Sequence, residues 1–79
     1  MDEYRRNYYD AFVRKIKANP ELEKRWNALA KQQQENAFEH YYGHLDMRGN
    51  DEAVQYVIKL QEGYAQGKSY MQQFKESIE

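Results

Sequence analysis

The stretch "AVQYVIKLQEGYAQGKSYMQQFKESI", residues 53–78, decides the fold class. Its apolar residues recur at alternating intervals of four and three, which is the heptad spacing of a helix that packs one face against its neighbours. The positions on this face are Ala53, Val57, Leu60, Tyr64, Gly67, Met71, Phe74 and Ile78. No run in the chain alternates with period two between turn residues, so the sequence predicts an all-α protein.

The same stretch also contains signals for a break near residues 63–68. Two glycines lie there, and each costs about 1 kcal/mol relative to alanine inside a helix. Ser69 followed by Gln72 matches a capping box, which would begin a new helix. The uninterrupted heptad favours continuity, so we predict one long helix, with a break and a short fourth helix as the alternative.

Two further features divide the rest of the chain. Asn19 can cap a helix whose first residue is Pro20, and the residue before a proline avoids helical geometry, so a preceding helix ends near this point. Later, Gly49 suits a left-handed C-cap, and Asn50 or Asp51 can cap the next helix. Because such short connections make neighbouring helices antiparallel, we predict a small three-helix antiparallel bundle. The predicted helices span about residues 2–18, 20–48 and 51–78.

The composition describes a single small domain covering residues 1–79. A chain of this length has a thin core, because it buries only about 60% of its unfolded surface. Mean hydropathy is low, at −1.21, yet eight tyrosines, three phenylalanines and one tryptophan make 15% of the residues aromatic. Tyrosine counts as polar on hydropathy scales although it buries a large ring. We therefore predict a folded domain whose core consists of aromatic side chains more than aliphatic ones.

Charge and cysteine content exclude several classes of function. The chain has no cysteine, which removes disulfides and thiolate zinc sites. Twelve basic residues against thirteen acidic ones give a net charge of −1, whereas nucleic-acid binders carry a basic excess. The N-terminus is charged, and no apolar run approaches the roughly 18 residues of a membrane span. We expect a cytoplasmic protein with no membrane association, for which nucleic acid is an improbable partner.

The segment "FEHYYGHLD", residues 38–46, is the candidate for metal chemistry. His40 and His44 are four residues apart, so on a helix both imidazoles leave the same face and can chelate zinc, copper or nickel. A further ligand would have to come from another helix, and the residue after His40 is a tyrosine instead of the glutamate of a metalloprotease. We predict no metal and no other cofactor. The histidines are then either core-edge imidazoles, each hydrogen-bonded to a tyrosine hydroxyl or a carbonyl, or part of a partner-binding face.

Adjacent tyrosines indicate where the chain meets a partner. One helix face cannot bury both members of the pair Tyr8–Tyr9 or of the pair Tyr41–Tyr42 equally, so at least one of each pair stays partly exposed. Tyrosine and arginine dominate the hot spots of protein interfaces. The predicted partner-binding residues are Tyr4, Arg5, Tyr8, Tyr9, His40, Tyr41, Tyr42 and His44.

These observations predict a non-catalytic protein-binding module. No serine has an activating context and there is no phosphate-binding glycine loop, so we do not expect an enzyme. By analogy with small proteins of bacteria and phages, the module is an accessory or inhibitor protein. The alternative is a nucleic-acid-associated protein that uses the basic, aromatic segment "YRRNYY", residues 4–9. A homodimer formed through the heptad of the third helix is a further alternative.

Overall fold

The computed structural model describes residues 2–78 and is all-helical over that range, with no strand. It contains five helices where the sequence predicts three, so the three-helix bundle is not confirmed. The helices are α1 (Glu3–Lys17), α2 (Pro20–Ala28), α3 (Lys31–Gly43), α4 (Asp51–Ala65) and α5 (Tyr70–Ile78). Two of the predicted helices are each divided, the second into α2 and α3 and the third into α4 and α5.

Side-chain caps begin the helices where the sequence predicts boundaries. The Asn19 side chain accepts a hydrogen bond from the Leu22 amide at 3.2 Å, with Pro20 as the first helical residue. Asn50 accepts from the Glu52 amide at 2.9 Å and begins α4. Each cap satisfies an amide that has no partner within its own helix. The predicted helix starts at Pro20 and Asp51 are confirmed, whereas the predicted helix end near residue 48 is wrong, because α3 ends at Gly43 and residues 45–49 form turns.

The break between α2 and α3 was not predicted, because neither glycine nor proline marks it. Leu29 and Ala30 adopt extended backbone angles, and Leu29 is buried. Two glutamine side chains from the first turn of α3 satisfy backbone groups at the break. Gln33 Oε1 accepts from the Ala30 amide at 3.1 Å, and Gln34 Nε2 donates to the Trp26 carbonyl at 2.8 Å. At this turn, the two glutamine side chains replace helical hydrogen bonds, and the burial of Leu29 favours the extended backbone.

The break between α4 and α5 agrees with the alternative prediction. Gly67 has φ +82°, a left-handed conformation that glycine adopts without a steric penalty. The Lys68 amide donates to the Gly63 carbonyl at 3.0 Å and the Gly67 amide to the Tyr64 carbonyl at 2.9 Å, which is the hydrogen-bond pattern of a Schellman motif. Ser69 Oγ then accepts from the Gln72 amide at 3.1 Å. The predicted continuous helix is wrong because both ends of this turn are capped.

The core is formed by α1 to α4, and Phe12 lies at its centre. Its ring centroid is 5.5 Å from Trp26, 5.5 Å from Phe38 and 4.9 Å from Tyr41. Aliphatic positions outnumber these four rings, so the prediction of a mainly aromatic core is wrong in number, although the rings occupy the middle. The core residues are Phe12, Ile16, Leu22, Trp26, Leu29, Ala37, Phe38, Tyr41, Ala53, Val54, Val57 and Ile58.

Ion pairs join helices that are distant in sequence. Arg25 of α2 makes a two-point contact with Glu62 of α4, with Nε–Oε2 at 2.9 Å and Nη2–Oε1 at 2.6 Å. Lys15 of α1 donates to the Asp51 carboxylate at 2.5 Å and to the Gly49 carbonyl at 3.1 Å. The Arg25 pair is bidentate and partly buried, the geometry in which ion pairs contribute most.

Helix α5 lies outside this core, and none of its residues is buried. It contacts α4 through Gln73, whose Nε2 donates to the Leu60 carbonyl at 3.3 Å. A Cβ at Gly63 would overlap the Gln73 side chain, so glycine permits this close approach. The heptad positions up to Leu60 are buried as predicted, whereas those on α5 are exposed.

Candidate protein-binding surfaces

One side of the molecule, where α1 lies against α3, carries a cluster of rings and guanidinium groups that we call the Arg–Tyr surface. It consists of Tyr4, Arg5, Tyr8, Tyr9, Tyr42 and Arg48.

The rings of the Arg–Tyr surface form an unbroken series of contacts. The centroids are 5.2 Å apart for Tyr4–Tyr8, 5.8 Å for Tyr8–Tyr42, 5.6 Å for Tyr42–Phe38 and 5.1 Å for Phe38–Tyr9. Favourable aromatic pairs have this spacing, and each contributes about 0.5–1.5 kcal/mol beyond its buried area. Phe38 belongs to the core, so the exposed phenols are anchored to the centre of the fold.

Two arginines contact the same ring. The Arg5 guanidinium lies 5.1 Å from the Tyr42 centroid and 5.5 Å from Phe38, and the Arg48 guanidinium lies 4.3 Å from Tyr42 and 5.8 Å from Tyr8. Arg48 Nε also donates to the Tyr42 carbonyl at 2.5 Å. Each cation–π contact contributes about 0.5–1 kcal/mol at an exposed site. Their common effect is to hold Tyr42 and both guanidinium groups in one arrangement.

Helical spacing brings the α1 members together, since residues four apart lie on the same side of a helix. Arg5 also forms an ion pair with Glu39 of α3. The hydroxyl of Tyr4 raises the pKa of Tyr8, and the Arg48 charge opposes this shift. Arg48 was missed by sequence reasoning, because nothing in the "MRGND" segment shows that it folds back on α3.

Five of the predicted partner-binding residues lie together on the Arg–Tyr surface, and a sixth is buried. Tyr41 is only 1% exposed, and its hydroxyl accepts a hydrogen bond from the Gly49 amide at 2.6 Å. It is therefore a core residue that fixes the turn before α4, and its prediction as a surface contact is wrong. The rule for adjacent pairs is confirmed, because Tyr42 is half-buried and Tyr9 is exposed.

The histidines lie on the other side of α3 from Tyr42. Their ring centroids are 4.7 Å apart, and the His40 ring meets the Tyr56 ring of α4 edge-on at 6.1 Å. Burial, followed by the charge of His44, lowers the pKa of His40. The predicted hydrogen bonds from the imidazoles to a tyrosine or a carbonyl are not found within residues 2–78, where His40 is half-buried and His44 is exposed.

Metal ligation needs more than this pair of imidazoles. Stable sites for zinc use three or four protein ligands. Within residues 2–78, no group of three histidine, aspartate or glutamate side chains is arranged to hold an ion. Tyr56, the ring next to His40, is a poor anionic ligand, because burial and then the neighbouring Tyr70 hydroxyl raise its pKa to about 12.

A second exposed apolar region lies on α5, and we call it the α5 stripe. Its members are Tyr70, Met71, Phe74 and Ile78, with exposed fractions of 46%, 61%, 49% and 69%. Sequence reasoning assigned three of them to the buried face of a continuous third helix. The signal that could have corrected this was the capping box at Ser69, because a new helix that begins there no longer continues the buried face of the helix before it.

A groove of about 820 Å³ runs between α4 and α5. The rings of Tyr56, Tyr70 and Phe74 line it together with the Arg25–Glu62 ion pair. A bonded pair, Lys68–Glu76 at 3.0 Å, also lines the groove. Both carboxylates are paired with cations and Lys59 also lines the groove, so the groove offers a ring-lined edge with one further cation beside the α5 stripe.

Comparison with protein-family models, with curated proteins and with solved structures gives no match. In the part of the chain that the structure describes, no helix combines the length and apolar character that crossing a membrane requires. The two surfaces are therefore the basis for assigning a function.

Proposed function

We propose that this protein is a non-catalytic module that docks on another protein through the Arg–Tyr surface and acts in the cytoplasm as an accessory or inhibitor protein. The observation that carries the proposal is the ring of Tyr42, which lies against both Arg5 and Arg48 within a continuous array of phenols.

The side-chain types of this surface are those that dominate the energy of protein interfaces. Tyrosine and arginine are enriched among hot-spot residues, since a phenol offers a large contact area with few rotatable bonds. Binding costs about 0.5–1.5 kcal/mol for each flexible side chain that it immobilises. Arg5 and Arg48 are already held against rings, so part of this cost is met during folding.

Ion pairs on α1 favour a protein over a nucleic acid as the partner. Arg5 is paired with Glu39 and Lys15 with Asp51, which neutralises two of the basic residues that would otherwise contact phosphates. A phosphate-binding surface works by releasing counterions, and its affinity then falls steeply with added salt. An aromatic surface depends on salt only weakly.

The experiment compares two double variants as baits in a lysate of the source organism. Tyr4→Ala with Tyr9→Ala removes two exposed phenols from the Arg–Tyr surface but leaves Tyr8 and Tyr42, its half-buried rings. Leu45→Ala with Tyr64→Ala removes two exposed apolar side chains from elsewhere and serves as the matched control. We expect the first variant to lose a partner that the native chain and the control retain.

The same captures repeated at low and high salt identify the class of partner. Recovery of a protein that is insensitive to salt supports the proposal. Equal recovery by both variants contradicts the choice of surface, and recovery of nucleic acid that falls steeply with salt supports the alternative function.

A further inference from the structure

The groove between α4 and α5 is lined by rings from both helices. Tyr56 belongs to α4, and Tyr70 and Phe74 belong to α5. These rings are 40%, 46% and 49% exposed. At about 100° per residue, Tyr70 and Phe74 lie on the same side of α5 as Gln73, which donates to the Leu60 carbonyl of α4. The half-covered rings therefore belong to the groove, and part of each is still open to contact.

The size and polar groups of the groove are those of a small-molecule site. Its volume of about 820 Å³ lies within the range of about 300–1,000 Å³ found for ligand pockets, which combine aromatic walls with a few polar groups. Gln66, Gln73 and Ser77 supply neutral polar groups at its edge. Burial and then the Tyr70 hydroxyl raise the pKa of Tyr56 to about 12. Its hydroxyl therefore stays protonated and can donate a hydrogen bond.

The charges of the lining favour an anion. Arg25, Lys59 and Lys68 line the groove together with Glu62 and Glu76, which leaves an excess of one positive charge. Glu62 is bonded to Arg25 at 2.6 Å and Glu76 to Lys68 at 3.0 Å. Lys59 takes part in none of the ion pairs within residues 2–78. An arriving anion therefore meets an uncommitted ammonium group, whereas an arriving cation would have to displace one that is already bonded.

We propose that the groove binds a small aromatic anion, with its ring between Tyr56 and the two rings of α5 and its charged group at Lys59. This inference goes beyond the proposed function, because the groove is separate from the Arg–Tyr surface. Each aromatic contact contributes about 0.5–1.5 kcal/mol beyond its buried area, whereas an exposed ion pair contributes about 0.2–1 kcal/mol. The rings then supply most of the affinity, and Lys59 supplies the preference for a charged ligand.

The first test uses two fluorescent probes with the same ring system, anilinonaphthalene sulfonate and the uncharged phenylnaphthylamine. A ligand of this size in a well-formed site has a Kd on the order of tens of micromolar, and we expect the native chain to bind the sulfonate saturably in this range. Phe74→Ser should weaken the binding of both probes by about 3- to 10-fold, because it removes one ring contact. Circular dichroism should show unchanged helix content, since Phe74 is half exposed.

The second test separates the contribution of charge from that of the rings. Lys59→Gln should weaken binding of the sulfonate by about 2- to 5-fold and leave binding of the uncharged probe unchanged. Lys75→Gln is the matched control, since it removes the same charge from a position on α5 that does not line the groove. It should leave both affinities unchanged, as should Tyr4→Ser on the Arg–Tyr surface.

The third test places the probe by hydrogen exchange. A ligand between α4 and α5 binds only while the two helices are together, so it opposes local opening of α5. At a sulfonate concentration ten times its Kd, exchange in α5 should slow by about tenfold. Exchange in α1, which carries most of the Arg–Tyr surface, should not change.

Three outcomes overturn the proposal: no saturable binding of the sulfonate, equal weakening in Lys59→Gln and Lys75→Gln, and protection of α1 in place of α5. None of them affects the proposed function, which is tested by variants of Tyr4 and Tyr9. Conversely, a confirmed anion site in the groove does not by itself show that the Arg–Tyr surface binds a protein.

Discussion

The Arg–Tyr surface and the α5 stripe expose similar kinds of side chain but differ in the residues that lie behind them. Behind the first, Phe38 connects the phenols to Phe12 at the centre of the core. Behind the second, Gln73 donates one hydrogen bond to α4, and Tyr70 and Phe74 share the lining of the groove with Tyr56. Exposed fraction alone therefore does not distinguish a surface that is anchored to the core from a surface that is not.

This difference has an energetic consequence. Rings of the Arg–Tyr surface already gain contacts with other rings and with guanidinium groups, so they stabilise the isolated chain. The rings of the α5 stripe, Tyr70 and Phe74, are 46% and 49% exposed, so about half of their contact area is still available for binding. We expect substitutions in the Arg–Tyr surface to lower the free energy of unfolding more than substitutions in the α5 stripe.

The sharpest test of this contrast is to remove one phenylalanine from each region. Phe12→Ala, below the Arg–Tyr surface, should lower the free energy of unfolding by about 3–5 kcal/mol, because the residue is fully buried among rings. Phe74→Ala should change it by less than about 0.5 kcal/mol. Urea unfolding at low micromolar concentration measures both, and similar losses would show that α5 is integral to the core.

A smaller effect is expected from removing one oxygen atom. Tyr41→Phe leaves the Gly49 amide without its hydrogen-bond acceptor in a partly buried site. An unsatisfied group of this kind costs about 1–3 kcal/mol. Unfolding in urea should show this loss, and Tyr9→Phe, at an exposed phenol, is the control. No loss in Tyr41→Phe would mean that the hydroxyl does not hold the turn that positions Arg48.

A substitution in the turn between α4 and α5 should affect hydrogen exchange in α5 alone. Gly67→Ala places a side chain at φ +82°, which costs about 1–2 kcal/mol. Gly43→Ala is the matched control, since a Cβ there meets nothing within 4 Å and φ is not positive. We expect faster hydrogen exchange in α5 for Gly67→Ala alone, with protection in α1 to α4 retained. Faster exchange throughout the chain would contradict the view that α5 is an appendage.

The smallest expected effect is the pH dependence of stability that arises from His40. The pKa of His40 is lowered in the fold by burial and by His44, so the folded chain binds fewer protons than the unfolded chain as the pH falls below about 6.5. Stability should therefore decrease between pH 7.5 and pH 5.5. The decrease should be smaller in His40→Gln.

Urea unfolding at these two pH values separates His40 from the carboxylates. Arg25 lowers the pKa of Glu62, so the contribution of this ion pair is present above the ordinary carboxyl pKa and is lost only at lower pH. Equal pH dependence in native chain and variant would show that His40 does not couple to folding. His44→Gln should show an intermediate dependence, because it removes only the second cause of the shift.

The sequence predicts those parts of the fold that depend on local chemistry. Pro20 with Asn19 marks the start of α2 and Asn50 marks the start of α4, because their backbone and capping preferences are intrinsic. Gly49 has the predicted left-handed conformation but lies in the turn before α4 and does not end a helix. The break at Leu29 and Ala30 was missed because it depends on burial of a leucine and on glutamine side chains that reach back. At about 100° per residue, one helix over residues 20–48 would place His40 and His44 on the side of Trp26, whereas the break changes the phase of α3 and removes them from that side.

The candidate surface was predictable in composition but not in membership. Adjacent tyrosines required that at least one ring of each pair stay partly exposed, and the structure confirms this, but spacing alone could not show that Tyr41 would be the buried member. Its burial depends on a contact with Gly49, eight residues away and beyond the end of α3. The α5 stripe was misassigned for a similar reason, since the heptad continues in sequence across a turn that interrupts it in space.

The anchoring of Gly49 also determines where the chain is open to proteolysis. The connection at residues 44–50 is the longest between helices, but the amide of Gly49 is bound by Tyr41 and its carbonyl by Lys15. A protease must draw several residues into an extended conformation before it cleaves, which this double attachment resists. The shorter turn at residues 66–69 has no comparable tie to the core, so limited digestion should first release α5 and leave the Arg–Tyr surface intact.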